Sequence, residues 1–200
     1  VHCQFEYSKA VADDPLYGRW GGSILGDNFS KLIIRDCLFN NNYGDYGGAI
    51  AASGCRFNII GCQFVENRAQ TGGAIMGQGT NISILNNYFR FNSASAGGAI
   101  QCWGSSDFIV AENIIAYNNA QNGAGIYIQS STINAYNNFI INNDASTAAG
   151  GIYSNTSYPK LVNNIICNND QGGIILVSSD ALIYNNTICN NSGVGILFDH

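Results

Sequence analysis

Apolar and polar residues alternate over short stretches of this chain, and the stretches recur. Leu32/Ile34, Phe57/Ile59, Ile82/Ile84, Phe108/Val110 and Ile133/Ala135 each skip one position, the mark of a strand with one buried face. Three residues beyond each pair a second alternating unit begins: Cys37-x-Phe39, Cys62-x-Phe64, Asn87-x-Phe89, Asn113-x-Ile115 and Asn138-x-Ile140. It continues as Asn164-x-Ile166 and Asn186-x-Ile188. An odd offset cannot hold both units on one face of a single strand. A corner is therefore predicted at Arg35-Asp36, Leu85-Asn86, Ala111-Glu112, Tyr136-Asn137, Val162-Asn163 and Tyr184-Asn185. Asn and Asp suit such corners because they tolerate the left-handed backbone and bond it locally.

A third unit is led by glycine: Gly47-Gly48-Ala49-Ile50, Gly72-Gly73-Ala74-Ile75 and Gly97-Gly98-Ala99-Ile100, with looser copies ending at Ile24, Ile126, Ile152, Ile174 and Ile196. From Ile24 the steps are 26, 25, 25, 26, 26, 22 and 22 residues. A period in this range marks a solenoid, in which a coil buries its apolar face only against its neighbours. The expected architecture is an all-β parallel β-helix of three-strand coils. About eight rungs, at ~4.8 Å each, would span about 38 Å. Like residues then stack in columns, so Asn42, Asn67, Asn92, Asn118, Asn143, Asn169 and Asn191 are expected to form a ladder of turn amides.

Composition agrees. The 28 Asn, 26 Ile and 24 Gly against nine Leu favour pleated strands and tight turns. They count against a leucine-rich repeat, whose period overlaps this one. A net charge of −5 with only three lysines excludes the clustered basic surface that a nucleic acid or an anionic membrane needs. No run of about 18 apolar residues is present to make a spanning helix. The chain opens inside a repeat, at Cys3-x-Phe5, and stops just after Ile196. The expectation is one β-helix domain over 1–200, a segment of a longer protein with adjoining domains, and an inserted loop over 9–20. That loop carries Asp13, Asp14 and Arg19 around Pro15 and reads as a solvated turn, or as an irregular functional loop beside a rigid sheet.

The three-strand coil with Ile-x-Ile-x-Asn-Asn-x-Ile-x-x-Asn resembles the right-handed parallel β-helix repeats of the pectin-lyase-like superfamily, with residues 181–191 a close match to their short form. The pairing of Gly-Gly-Ala-Ile with Phe-x-x-Asn is also similar to the repeats of chlamydial polymorphic outer-membrane proteins and related bacterial surface proteins. The superfamily includes lyases, hydrolases, epimerases and noncatalytic adhesins, so the resemblance implies a fold more than a reaction.

For an enzyme, it implies a groove along the sheet of Gly-Ala-Ile strands. With each Ile inward, Ala49, Ala51, Ala74, Met76, Ala99, Gln101, Tyr127, Tyr153, Ile175 and Leu197 point outward. A glycosidase needs two carboxylates at a set separation, and this face offers none before Asp199. The Asp cluster and Arg base of the lyases, and the paired Asp of the polygalacturonases, have no counterparts. No catalytic residue, metal site or cofactor is expected: calcium-loop, zinc, phosphate-loop and nucleophile-elbow patterns are all missing. His2 and His200 have no evident partner.

Gln101, Trp103, Tyr127, Gln129, Tyr153 and Asn155 remain as candidate glycan contacts, because rings flanked by amides can stack sugars and bond their hydroxyls. The alternative is that these rings only cover the strands or meet a neighbouring domain. An ice-binding face would need a column of Thr, and the six Thr are scattered. Among the seven cysteines, Cys3, Cys37 and Cys62 share one inward column of thiols, while Cys167 and Cys189, one 22-residue coil apart, are a candidate disulfide. The function expected is a noncatalytic stalk, adhesive or glycan-contacting module, extracellular or on the bacterial cell surface, with a polysaccharide or host glycan as partner. The alternative is a polysaccharide-active lyase, hydrolase or epimerase with catalytic coils partly outside this segment.

Overall fold

In the computed structural model, described for residues 3–10, 20–28, 31–79, 81–105 and 107–199, all regular structure among those residues is β-strand. Residues 11–19, with Asp13, Asp14, Pro15 and Arg19, and the two histidines lie outside the described residues. The strands form a parallel solenoid of three long sheets. The glycine-led strands stack in one sheet of eight, from Ile24–Asp27 through Ile100–Trp103 to Ile196–Asp199. The Ile-x-Ile strands, from Lys31–Arg35 to Leu182–Tyr184, make a sheet of seven, and the Cys/Asn-x-Phe/Ile strands, from Gln4–Glu6 to Thr187–Cys189, a second sheet of eight.

Register is in step throughout: Ile24, Ile50, Ile75, Ile100, Ile126, Ile152, Ile174 and Ile196 pair in one line. A one-residue slip would turn every inward Ile outward, so the buried column fixes the register. Phe5, Phe39, Phe64 and Phe89 stack inside at ring-centroid spacings of 4.8 Å, nearly coplanar. Ile115, Ile140 and Ile166 continue that column, fully buried.

The corners fall where the odd offsets require. Asp36, Asn86, Glu112, Asn137, Asn163 and Asn185 all have φ between 51° and 58°. The next residue turns inward and joins a ladder. Asn87 Nδ2 donates to Asn113 Oδ1 (3.1 Å) and to the Ile59 carbonyl (2.9 Å), and the pattern repeats through Asn138, Asn164 and Asn186. The Asn42 column runs parallel to it: Asn67 Nδ2 donates to Asn92 Oδ1 (2.9 Å) and to the Phe39 carbonyl (3.0 Å). Each amide thereby satisfies corner carbonyls and N–H groups that the strands leave unpaired in the interior.

Two features of the coil were not legible as strands. The return path after Asn42, Asn67, Asn92, Asn118 and Asn143 also pairs from coil to coil, through single bridges such as Tyr43 with Arg68 and a short sheet of Asn119–Asn122 with Asp144–Ala148. A third ladder, of serines, occupies the remaining corner: the Ser105, Ser131 and Ser157 N–H groups donate to the hydroxyls of Ser131, Ser157 and Ser179, each at 3.1 Å.

The two glycines of each Gly-Gly pair have different jobs. Gly47, Gly72 and Gly97 hold φ of 62–65°, and a Cβ on Gly72 would sit 2.9 Å from the Cβ of Met76. A Cβ on Gly48 or Gly73 would instead lie 2.2 or 2.0 Å from the glycine carbonyl of the next coil. The first glycine makes the turn, and the second lets neighbouring coils touch.

Candidate functional site

The glycine-led sheet presents two outward columns. Gln101, Tyr127, Tyr153 and Ile175 are in register in the first, and Trp103, Gln129, Asn155 and Val177 in the second. Strand alternation sends their neighbours Cys102, Ile128 and Ser154 into the core. The six candidate contacts are therefore brought together on three successive coils, but they are not equally open. Trp103 is 39% exposed, whereas Tyr127, Gln129, Tyr153 and Asn155 are half-buried. Gln101 is only 5% exposed, and its Oε1 has no hydrogen-bond partner among the described residues.

Ala49, Ala51, Ala74, Met76 and Ala99, expected to point outward, are all fully buried, and Ala49, Ala74 and Ala99 pack in the core with the Ile column. The turn glycine lies close to the strand in successive coils: a Cβ on Gly97 would come within 3.0 Å of the Gln101 Cβ, and one on Gly123 within 3.1 Å of the Tyr127 Cα.

Past Gln101 the face opens. Tyr127 and Tyr153 stack with ring centroids 5.2 Å apart and planes 14° apart. Burial pushes the Tyr127 hydroxyl above the usual tyrosine range, the Tyr153 hydroxyl adds to the shift, and a hydrogen bond with Asn155 opposes it. The Tyr127 hydroxyl therefore stays protonated at neutral pH and can act as a donor. The arrangement is a rigid platform of two rings, with an indole and two amides along its edge.

Among the described residues, the strands of this face carry two carboxylates: Asp199 and, against the expectation that none precedes it, Asp27. They stand at opposite ends of the second column, seven coil steps apart, about 34 Å at the interstrand spacing. Glycoside hydrolysis requires two carboxyls within roughly 5–10 Å. Among the described residues no group of three or more His, Cys, Asp or Glu is placed to hold a metal ion. Among the same residues no helix is long and apolar enough to cross a membrane.

Stacked parallel coils and an inward asparagine ladder define a parallel β-helix. A family model described as a right-handed β-helix region matches residues 98–200, just over half of the chain. The chain belongs to that family, and the pectin-lyase-like superfamily fits its architecture. No curated protein and no solved structure matches it.

Proposed function

We propose that this β-helix is a noncatalytic module of a secreted or cell-surface bacterial protein, and that it meets glycans through the platform of Trp103, Tyr127, Gln129, Tyr153 and Asn155. The observation that carries the reading is the Tyr127–Tyr153 stack, flanked by amides on a face whose two carboxylates are too far apart to act together. Stacked rings offer a sugar its apolar face, and Gln129 and Asn155 can exchange hydrogen bonds with its hydroxyls. The disulfide between Cys167 and Cys189, with Cα atoms 4.7 Å apart, supports an oxidising, extracellular location.

The test is binding of the whole chain to immobilised neutral and acidic polysaccharides, with ultraviolet absorbance of the supernatant followed for unsaturated products. Binding that falls at least about tenfold in a Trp103→Ala, Tyr153→Ala double variant, without product release, is the expected result. Product release would move the protein to the polysaccharide-active alternative. Binding indifferent to both substitutions would leave the platform as a cover for the strands.

A further inference from the structure

The corner that precedes the Asn42 column carries a second, separate site. Along that corner the left-handed position is held by Asn41, Asn142, Asn168 and Asn190, with φ of 50–57°. Asn tolerates this backbone; bulky side chains rarely adopt it. Tyr7 and, on three successive coils, Glu66, Phe91 and Tyr117 nevertheless stand there, at φ of 53°, 55°, 58° and 57°. None of them is buried, with Phe91 45% and Tyr117 48% exposed, so core packing does not account for them. The three successive coils thus display a carboxylate and two aromatic rings side by side on a backbone fixed by the winding.

Their surroundings point the same way. The Arg90 guanidinium lies 4.3 Å from the Phe91 ring centroid and 5.6 Å from that of Tyr117, pinning both rings. Its Nε is buried without a hydrogen-bond partner among the described residues. Beside Phe91 a hollow of about 300 Å³ opens between the corner column and the return path, lined by Asn41, Tyr43, Glu66, Arg68, Phe91 and Ser93, with buried Asn42 also lining it. Its walls are fixed by the ladder beneath, since Asn42, Asn67 and Asn92 bond one another and the backbone between them.

The chemistry of the lining selects the ligand. Glu66 and Arg68 are exposed and opposite in sign, so the hollow has no net charge to hold a phosphate or a polyanion. A ligand there must offer an apolar face to an aromatic ring, and groups that both donate to a carboxylate and accept from a guanidinium. A pyranose does both: its C–H face stacks on a ring, and its hydroxyls donate and accept. We infer that the Glu66–Arg68–Phe91 corner binds a neutral pyranose saccharide, at a site distinct from the Tyr127–Tyr153 platform.

The column itself supplies the decisive variant. Phe91→Asn installs the residue that other coils use at this corner, so it relieves the backbone while deleting the ring. Calorimetric titration of the whole chain with glucose-, galactose-, mannose- and N-acetylglucosamine-based trisaccharides should show saturable binding of at least one. Phe91→Asn should weaken that binding about tenfold or more while melting no earlier than the parent, and Arg68→Ala should weaken it as well. The loss on Phe91→Asn should persist in the Trp103→Ala, Tyr153→Ala background, where the platform is gone. No binding of any trisaccharide, or unchanged affinity in Phe91→Asn, overturns the inference. Binding that falls only with Trp103→Ala and Tyr153→Ala assigns the sugar to the platform instead.

Discussion

From Cys37 to Phe89 the second alternating unit holds the thiols of Cys37 and Cys62 beside stacked rings, with Asn87 the first amide; from Asn113 onward it holds amides and isoleucine. Cys62 Sγ reaches back to the Ile34 carbonyl at 3.8 Å, over the same 28-residue separation at which Asn87 Nδ2 reaches the Ile59 carbonyl at 2.9 Å. The thiol stands in the ladder but holds it weakly, since sulfur is a poor donor. The return path differs too. Asn67 to Ile75 spans eight positions, whereas Asn169 to Ile174 spans five, and this cut produces the 22-residue coils. Strands and corners keep their lengths, so the coil tolerates exchange of whole columns and shortening of one arc, provided that register is kept.

The family match over residues 98–200 covers the half in which this unit is Asn and Ile. The other half, with Cys37, Cys62 and Asn87 beside Phe, winds along the same path, and its strands pair in the same sheets.

The largest expected effect tests whether both halves depend on close approach of neighbouring coils. Gly73→Ala places a methyl 2.0 Å from the Gly98 carbonyl oxygen, a backbone atom that cannot rotate away. A loss of more than about 4 kcal/mol in urea unfolding is expected, against about 1 kcal/mol for Gly79→Ala, where only the positive φ is unfavourable and the space is open. Equal costs at the two positions would mean that the coils can spread, and the second glycine would lose its explanation.

Next in size is the ladder. Asn92 Oδ1 accepts from the Asn67 N–H and Nδ2, and its own Nδ2 donates to the Phe64 carbonyl and Asn118 Oδ1. Asn92→Ala leaves several of these groups buried and unpaired, at about 3 kcal/mol. Asn191→Ala, in the last described coil where the ladder is only part-buried, should cost about 1 kcal/mol. Similar melting temperatures for the two variants would show that water replaces the amide even in the middle of the solenoid.

Most of this winding could be read from spacing. The odd offset between Ile34 and Cys37 demanded a corner, and Asp36 has the left-handed φ that such a corner needs. The Asn42 column followed from the period alone. The serine ladder left a signal that went unread: Ser105, Ser131, Ser157 and Ser179 each stand five residues after the Ile of a glycine-led strand. They were missed because Ser is common in any turn, and burial is what marks these four. The site was less legible than the fold. Gln101 and Trp103 share a strand and an outward direction, yet one is buried and the other exposed. Neither alternation nor period tells the two apart.

The smallest effect distinguishes the halves by pH. Burial is the main cause that raises the Cys55 thiol, pushes Cys62 to about 11 and Cys102 to about 12, against about 9 for a free thiol. Cys167 and Cys189 are locked in their disulfide and do not titrate. A thiol whose folded pKa is raised keeps its proton longer in the folded state. Its contribution is fully present below about pH 9 and falls as pH climbs through 9 toward the folded value. As pH rises through about 9, stability should decline, and the weakening belongs to the coils around Cys55, Cys62 and Cys102. Limited proteolysis read by mass spectrometry should then cut first within residues 31–105 and spare 126–199. Cys62→Asn removes one of the titrating groups and supplies a donor that can reach the Ile34 carbonyl, so it should shallow the decline. First cuts beyond Tyr127, or an unaltered decline in Cys62→Asn, would show that the thiol column is not where alkaline weakening begins.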